Sequence, residues 1–304
     1  MRVSGPDSKN PGTQYITGIV EIATDDQCLN IVPVHYTYVT EKTSTGKTNA
    51  SYGTLLDILN GNFKSVMQEG KENAAKLRID SAIGLNEFYS DRNGQEELVS
   101  VKRNEGGFIH LVTNALDANE KVRNTFKADM VITNCIRKEA DEEKQIPEKV
   151  IVKGAIFDFR NSLLPVEFSA IAENAMDYFE SLGASNSEPV FTQVWGRQLS
   201  TTIVNTITTE SAFGEPSVRE VKSTRKDFVI TGAAKEPYIW DDDDSITIAE
   251  FTKAIQDRET YLATLKERND EYKAKKAAGE IGQTPTGEIG QTPTNAVKPG
   301  EFNF

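Results

Sequence analysis

Histidine and cysteine are scarce in this 304-residue chain, which has two of each. That scarcity removes most metal and nucleophile chemistry at once. Structural zinc sites draw on closely spaced ligand pairs. Cys28, Cys135, His35 and His110 offer no pair at such spacing. The two thiols, each inside an apolar-looking run, read as reduced cysteines of a reducing cytosol rather than as a disulfide framework. His35 and His110, the latter in the run FIHLVT, read as core or surface residues. No G-x-S-x-G, H-E-x-x-H or EF-hand spacing occurs. The nearest approach to a phosphate loop is Thr45-Gly46-Lys47-Thr48. The required glycine five residues before Gly46 is replaced by Glu41, and no obvious helix follows to receive phosphate. That stretch reads as a mobile basic loop. The expectation is a protein without a catalytic set, a cofactor or a metal.

Long apolar runs are missing too. None approaches the roughly 20 residues needed to span a bilayer. The opening MRVSGPDSKNPGTQ carries one early basic residue and no apolar run, so neither a signal peptide nor an anchor is expected. A soluble, intracellular protein follows from these two readings. Positive charge is also short: the formal net charge is -12. Nucleic-acid binding would therefore rest on local basic patches and not on global charge.

What is present is strand-forming sequence. After a loose polar arm over 1–14, YITGIVEIA and LNIVPVHYTYV are rich in β-branched and aromatic residues, with a turn between them. YGTLLDILNGNFKSVMQEG has helical spacing interrupted at Gly61, which predicts two short helices. From Leu77 the pattern predicts three strands. They are separated by a turn at Asp91-Arg92-Asn93-Gly94, a strong hairpin signal, and another at Glu105-Gly106-Gly107. Further strands follow in FKADMVITNCIRKE, on both sides of Arg160-Asn161-Ser162, in EPVFTQVWGRQLSTTIVNTITTESAF and in REVKSTRKDFVITGAA. A short helix, AENAMDYFESLG, interrupts them. Short strands without regular helical alternation argue for a mainly β domain over 15–235, as a barrel or sandwich.

Composition shifts at Asp241. The run Asp241 to Asp244 leads a helix of about 30 residues within 241–278, with Thr247 and Glu250 at capping-box spacing. Ile248, Phe251, Ile255, Leu262, Leu265 and Tyr272 form a narrow stripe on it, interrupted by Arg258 and Asn269. Residues 279–304 repeat GEIGQTPT and end at Glu301, Phe302, Asn303 and Phe304. A segment this polar cannot offset its ordering entropy, so a disordered linker with an aromatic tip is expected.

Within 15–235, rings recur beside basic residues: Phe88 and Tyr89 near Arg92; Lys102 and Arg103 before Phe108; Arg123 and Lys127 around Phe126; Phe157 and Phe159 beside Arg160; Trp195 beside Arg197. Single-stranded nucleic acid calls for this mixture, because rings stack on unpaired bases and cations follow the phosphates. Immediate strand neighbours point to opposite faces, which limits the signal. Phe157 and Phe159 are expected to share one face.

The β-rich core, including Gly154-Ala155-Ile156-Phe157 and the run Val190 to Gly196, together with the Gly/Pro/Gln/Thr tail ending in Phe304, resembles phage-type single-stranded DNA-binding proteins of the OB fold. The resemblance implies an elaborated OB-like barrel with long insertions and a flexible tail; with the short helices, the long C-terminal helix and the disordered tail read above, the fold class expected is mainly β. The resemblance also implies sequence-independent single-stranded DNA binding in replication or recombination, in the host cytoplasm if phage-encoded. Glu301, Phe302 and Phe304 would then dock partner enzymes. Such tails are usually dense in acids before the last Phe; here only Glu301 stands there. The competing expectation is a virion or other assembly protein that oligomerises through the β-domain and the helix.

Overall fold

The computed structural model describes residues 1–279, except Asp7, Asn93, Glu143, 210–212, 214–216, Asp243 and Asp244, and beyond them only Ala296–Val297. The tail tip and most of the repeat lie outside the described residues. The chain divides into two compact units, one of 1–84 with 103–123, the other of 85–102 with 124–304.

The first unit is an open sheet. β1 (Arg2–Val3), β2 (Gln14–Ala23) and β3 (Ile31–Thr40) pair antiparallel in sequence order. β3 then meets β5 (Gln95–Leu111) in parallel at Val34↔Asn104 and His35↔Glu105. β4 (Leu77–Arg92) pairs with β5. Ile16, Val34, Tyr36, Leu55 and Ile109 make the core, with Leu55 supplied by α1 (Ala50–Leu59). The expected break at Gly61 separates α1 from α2 (Val66–Asn73), and Gly61 takes a left-handed φ of 73°.

Three local expectations are corrected here. β5 runs unbroken through Glu105-Gly106-Gly107, where a turn was expected. These glycines serve close approach: a Cβ on Gly107 would stand 1.8 Å from the Asp80 carbonyl oxygen, and one on Gly106 would stand 2.6 Å from the Tyr36 ring. Cys28 lies in no strand but in the turn before β3, with φ 56°. A helix does follow the Gly46 loop, since α1 starts at Ala50. Its N-terminus is capped by Asn49, which accepts from the Ser51 amide. The loop amides of Thr43 and Gly46 donate to the carbonyls of Lys47 and Thr43.

The second unit holds a closed five-stranded barrel. Its strands are β6 (Thr125–Lys138), β7 (Lys149–Phe157), β8 (Leu163–Ala170), β9 (Val190–Thr209) and β10 (Ser217–Ala233), with α3 (Glu173–Ser181) between β8 and β9. β6, β7 and β8 pair antiparallel in turn; β8 meets β10 in parallel; β10 pairs β9; β9 closes on β6. Numbered along the barrel, this order is 1-2-3-5-4-1 with a helix between strands three and four, the topology of the OB fold. The barrel thus occupies 125–233 of the 15–235 stretch, and the earlier strands form the separate sheet.

Alternation fixes which side chains fill it. Phe126, Met130, Val152, Ile156, Val166, Phe168, Val194, Phe228 and Ile230 are buried. Phe126, Phe168 and Phe228 cluster with ring centroids 4.9 to 5.9 Å apart. α4 (Ile248–Ala277) begins with the expected capping box: Thr247 accepts from the Glu250 amide, and Glu250 accepts from the Thr247 amide. Asp241, at the head of the acidic run, accepts from the Ile248 amide in the first turn of the helix. Phe251 and Ala254 pack on Val131, Ala155, Leu163 and Phe191, making a second apolar layer outside the barrel.

Candidate nucleic-acid interface

The outer surface of the barrel is not uniformly available. On β7 and β8, one end is covered by the first turns of α4, through Ala155 and Leu163. The rest is tied up in ion pairs, Lys153 with Glu167 at 3.0 Å and Lys149 with Asp227 at 3.5 Å. The connection from β6 to β7 reads EADEEKQIPE, five acids against one lysine, which repels phosphate. What stays open is the part of the β6–β9 face away from α4, around Lys127 and Trp195.

On that face the register places Lys127 directly opposite Trp195, and Thr125 opposite Arg197. Residues facing each other in an antiparallel pair share a side of the sheet. Trp195 is 41 % exposed and Lys127 is exposed. The indole leans over Gly232 of β10, where an added Cβ would come within 2.4 Å of its Nε1. A glycine is thus required for the ring to lie down. Arg197 is half-buried, and its Nε is enclosed with no hydrogen-bond partner among the described residues. Below this set, Asp129 is occupied by Gln193 and the Tyr238 hydroxyl, both at 2.9 Å.

Past Arg197, β9 leaves β6; before Val229, β10 has not yet joined β8. Between these points the two strands pair, among the described residues, only with each other, from Gln198↔Phe228 to Thr209↔Ser217. This two-stranded ribbon is the barrel's fourth-to-fifth-strand connection drawn out. Residues 217–226 hold four basic residues, Arg219, Lys222, Arg225 and Lys226, against Glu220. Arg225 is engaged, with Asp227 at 2.9 Å and the Gln145 carbonyl at 3.2 Å. Sequence reading passed over Arg219, Lys222 and Lys226. The signal that marks them is a locally positive stretch in a chain of net charge -12.

The other candidate residues are dispersed. Phe157 packs against the layer under α4, whereas Phe159 lies beyond the end of β7 in the turn and is 85 % exposed. They do not share a face, because the strand ends between them. Asp158 accepts from the Arg160 and Ser162 amides and turns the chain. Arg160 lies 4.9 Å over the Phe159 ring. In the first unit, Phe108 is exposed beside His110, Arg103 is paired with Glu105 at 2.9 Å, and Arg123 is paired with Asp26 at 2.7 Å. Arg123 is further held by the Asp117 carbonyl. Glu301, Phe302 and Phe304 lie outside the described residues, as does the side chain of Arg92.

Lys102 is half-buried, but its ammonium is packed around. It donates to the Glu167 carbonyl and sits 4.4 Å over the Phe228 ring and 4.8 Å over the Phe168 ring. It fills the split where β8 and β10 diverge, which removes it from a solvent-facing groove. Burial pushes its pKa down to about 7, against the opposing pull of Glu167 and Asp227.

The tip of the β4–β5 hairpin, 85–102, receives α4. Glu87, Tyr89 and Asp91 alternate toward the helix and meet Arg258, Lys266 and Lys273 respectively. Phe88, between them, points away and is exposed. Glu96 on the returning strand accepts from Asn269 at 2.5 Å and Lys273 at 2.6 Å, and pairs with Lys266 at 2.5 Å. The Lys266 and Lys273 hydrogen bonds hold the Glu96 carboxyl down to about 2. The residues that interrupt the apolar stripe, Arg258 and Asn269, bind the hairpin together with Lys266 and Lys273.

Among the described residues no group of three or more His, Cys, Asp or Glu could hold a metal ion, and no helix is long and apolar enough to cross a membrane. Cys28 and Cys135 are free thiols; burial pushes the Cys135 thiol up to about 12. A family model described as YorF matches residues 3–268, and the chain belongs to that family. No curated protein matches the chain.

Proposed function

We propose that this YorF-family chain binds single-stranded DNA without sequence preference, serving replication or recombination. Bases would stack on Trp195 while Lys127, Arg197 and the basic strand of the ribbon follow the phosphates. The supporting observation is the Lys127–Trp195–Arg197 set on the open face of an OB-topology barrel, with an exposed indole laid flat by Gly232. OB barrels bind oligonucleotides with a strand face and with the loops between strands one and two and between four and five. Here the first of those loops is acidic and the second is the basic ribbon, so contact shifts to the ribbon side. The net charge of -12 tolerates this, because only local potential at the groove governs phosphate contact. The tail tip Glu301, Phe302 and Phe304 would recruit partner enzymes without touching DNA.

Fluorescence anisotropy with labelled oligo-dT tests the reading. Single strands should bind more tightly than duplex, with affinity falling linearly on a log–log plot against salt. Absence of binding at about 50 mM salt, where the counterion term is strong, rejects it.

A further inference from the structure

The ribbon has a property that DNA contact does not use. Its two strands are chemically unlike. From Thr201 to Thr209, β9 has eight β-branched residues of nine, with Asn205 the exception, and no charge, proline or glycine. Its partner, over 217–226, carries five charged residues: Arg219, Glu220, Lys222, Arg225 and Lys226. Beyond the barrel, β9 has only β10 as a strand partner among the described residues, so no described strand pairs with its second edge. Proteins ordinarily guard such edges with charge, proline, a bulge or a cover. β10 carries charge over 217–226, whereas β9 carries neither charge nor proline over 201–209.

We propose that Thr201–Thr209 pairs antiparallel with the same segment of a second copy of this chain, about a two-fold axis near Asn205. The product is a four-stranded sheet in the order β10-β9-β9′-β10′. A two-fold interface must be self-complementary. A neutral, β-branched strand meets itself with no like charges opposed. A charged strand from another protein would find no countercharge on β9. Pairing the two β9 edges also leaves both basic β10 strands outermost, where a phosphate backbone reaches them.

Sedimentation equilibrium of the full chain without nucleic acid tests this separately from DNA binding. The wild type should rise with concentration toward twice its 33.6 kDa mass. Asn205→Lys and Asn205→Glu should each stay at 33.6 kDa, with unchanged melting temperature because the site lies outside the barrel. An equimolar mixture of the two should regain the doubled mass, as opposite charges meet across the axis. A wild type that is monomeric up to about 100 μM, a concentration that fills micromolar pairing, overturns the proposal. So does a dimer that both single variants leave intact, and so does a mixture that stays monomeric.

Discussion

Arg258 and Glu87, 171 residues apart in the chain, meet through both terminal guanidinium nitrogens, with Nη1 to Oε2 at 2.6 Å. Their side chains are 11 % and 2 % exposed. Removing one member leaves the other charge buried and alone, which costs about 3–5 kcal/mol. Arg258→Met and Glu87→Met should each lower stability by that order in urea unfolding. The double variant should recover most of the loss, because two apolar side chains replace a desolvated pair. Additive losses would show that the two residues act independently.

Glu96 lies near the far end of the same contact, and its pKa is depressed to about 2 by Lys266 and Lys273. A carboxyl held below its unfolded value stabilises the fold fully above that value, near 4.5, and stops doing so as pH falls through the folded one. Wild type should therefore exceed Glu96→Gln in stability at neutral pH. The gap should close progressively between about pH 4.5 and 2 in thermal melts.

Lys102 has the opposite sign. Its folded pKa of about 7 lies below the usual 10.5, so the unfolded chain binds more protons between these values. Wild-type stability should gain from this group as pH rises from 7 to 10.5. Lys102→Met, which keeps the stem over Phe168 and Phe228 without the ammonium, should lack that rise. The Met variant should be the more stable at pH 7 and lose its advantage toward 10.5.

Two aromatic residues separate binding from folding. Trp195→Ala should weaken oligo-dT binding by about 1–3 kcal/mol, roughly five- to 150-fold, with little change in melting temperature. Phe157→Ala should lower stability by about 3–5 kcal/mol and leave the affinity of the folded fraction intact. Gly232→Ala should displace the indole and shift Trp195 fluorescence, since no room exists for a Cβ.

The barrel was legible where pattern and turn chemistry agreed. Asn161, with φ 61°, marks the β7–β8 turn that Arg160-Asn161-Ser162 announces. The helix of 248–277 follows from its capping box and stripe. Gly106 and Gly107 misled because a glycine that turns the chain and a glycine that admits a neighbour look alike in one dimension. The split into sheet and barrel was equally hidden, since both are built from the same β-branched alternation. At the candidate interface, sequence adjacency was a poor guide. Trp195 stands opposite Lys127 across the sheet, 68 positions away in sequence. Lys102 sits near Phe108 in the chain and spends its charge on other rings.

The hairpin tip of 85–102 belongs to the same unit as 124–304. During synthesis, therefore, Glu87 leaves the ribosome long before Arg258 exists. Translation proceeds at about 5–20 residues per second, so the tip waits many seconds for its helix. Through that interval an acidic strand pair stands uncovered, and a chain stopped before 248 can never close it. Premature termination upstream of α4 should thus leave Glu87, Asp91 and Glu96 without their partners Arg258, Lys266 and Lys273, however well the barrel forms.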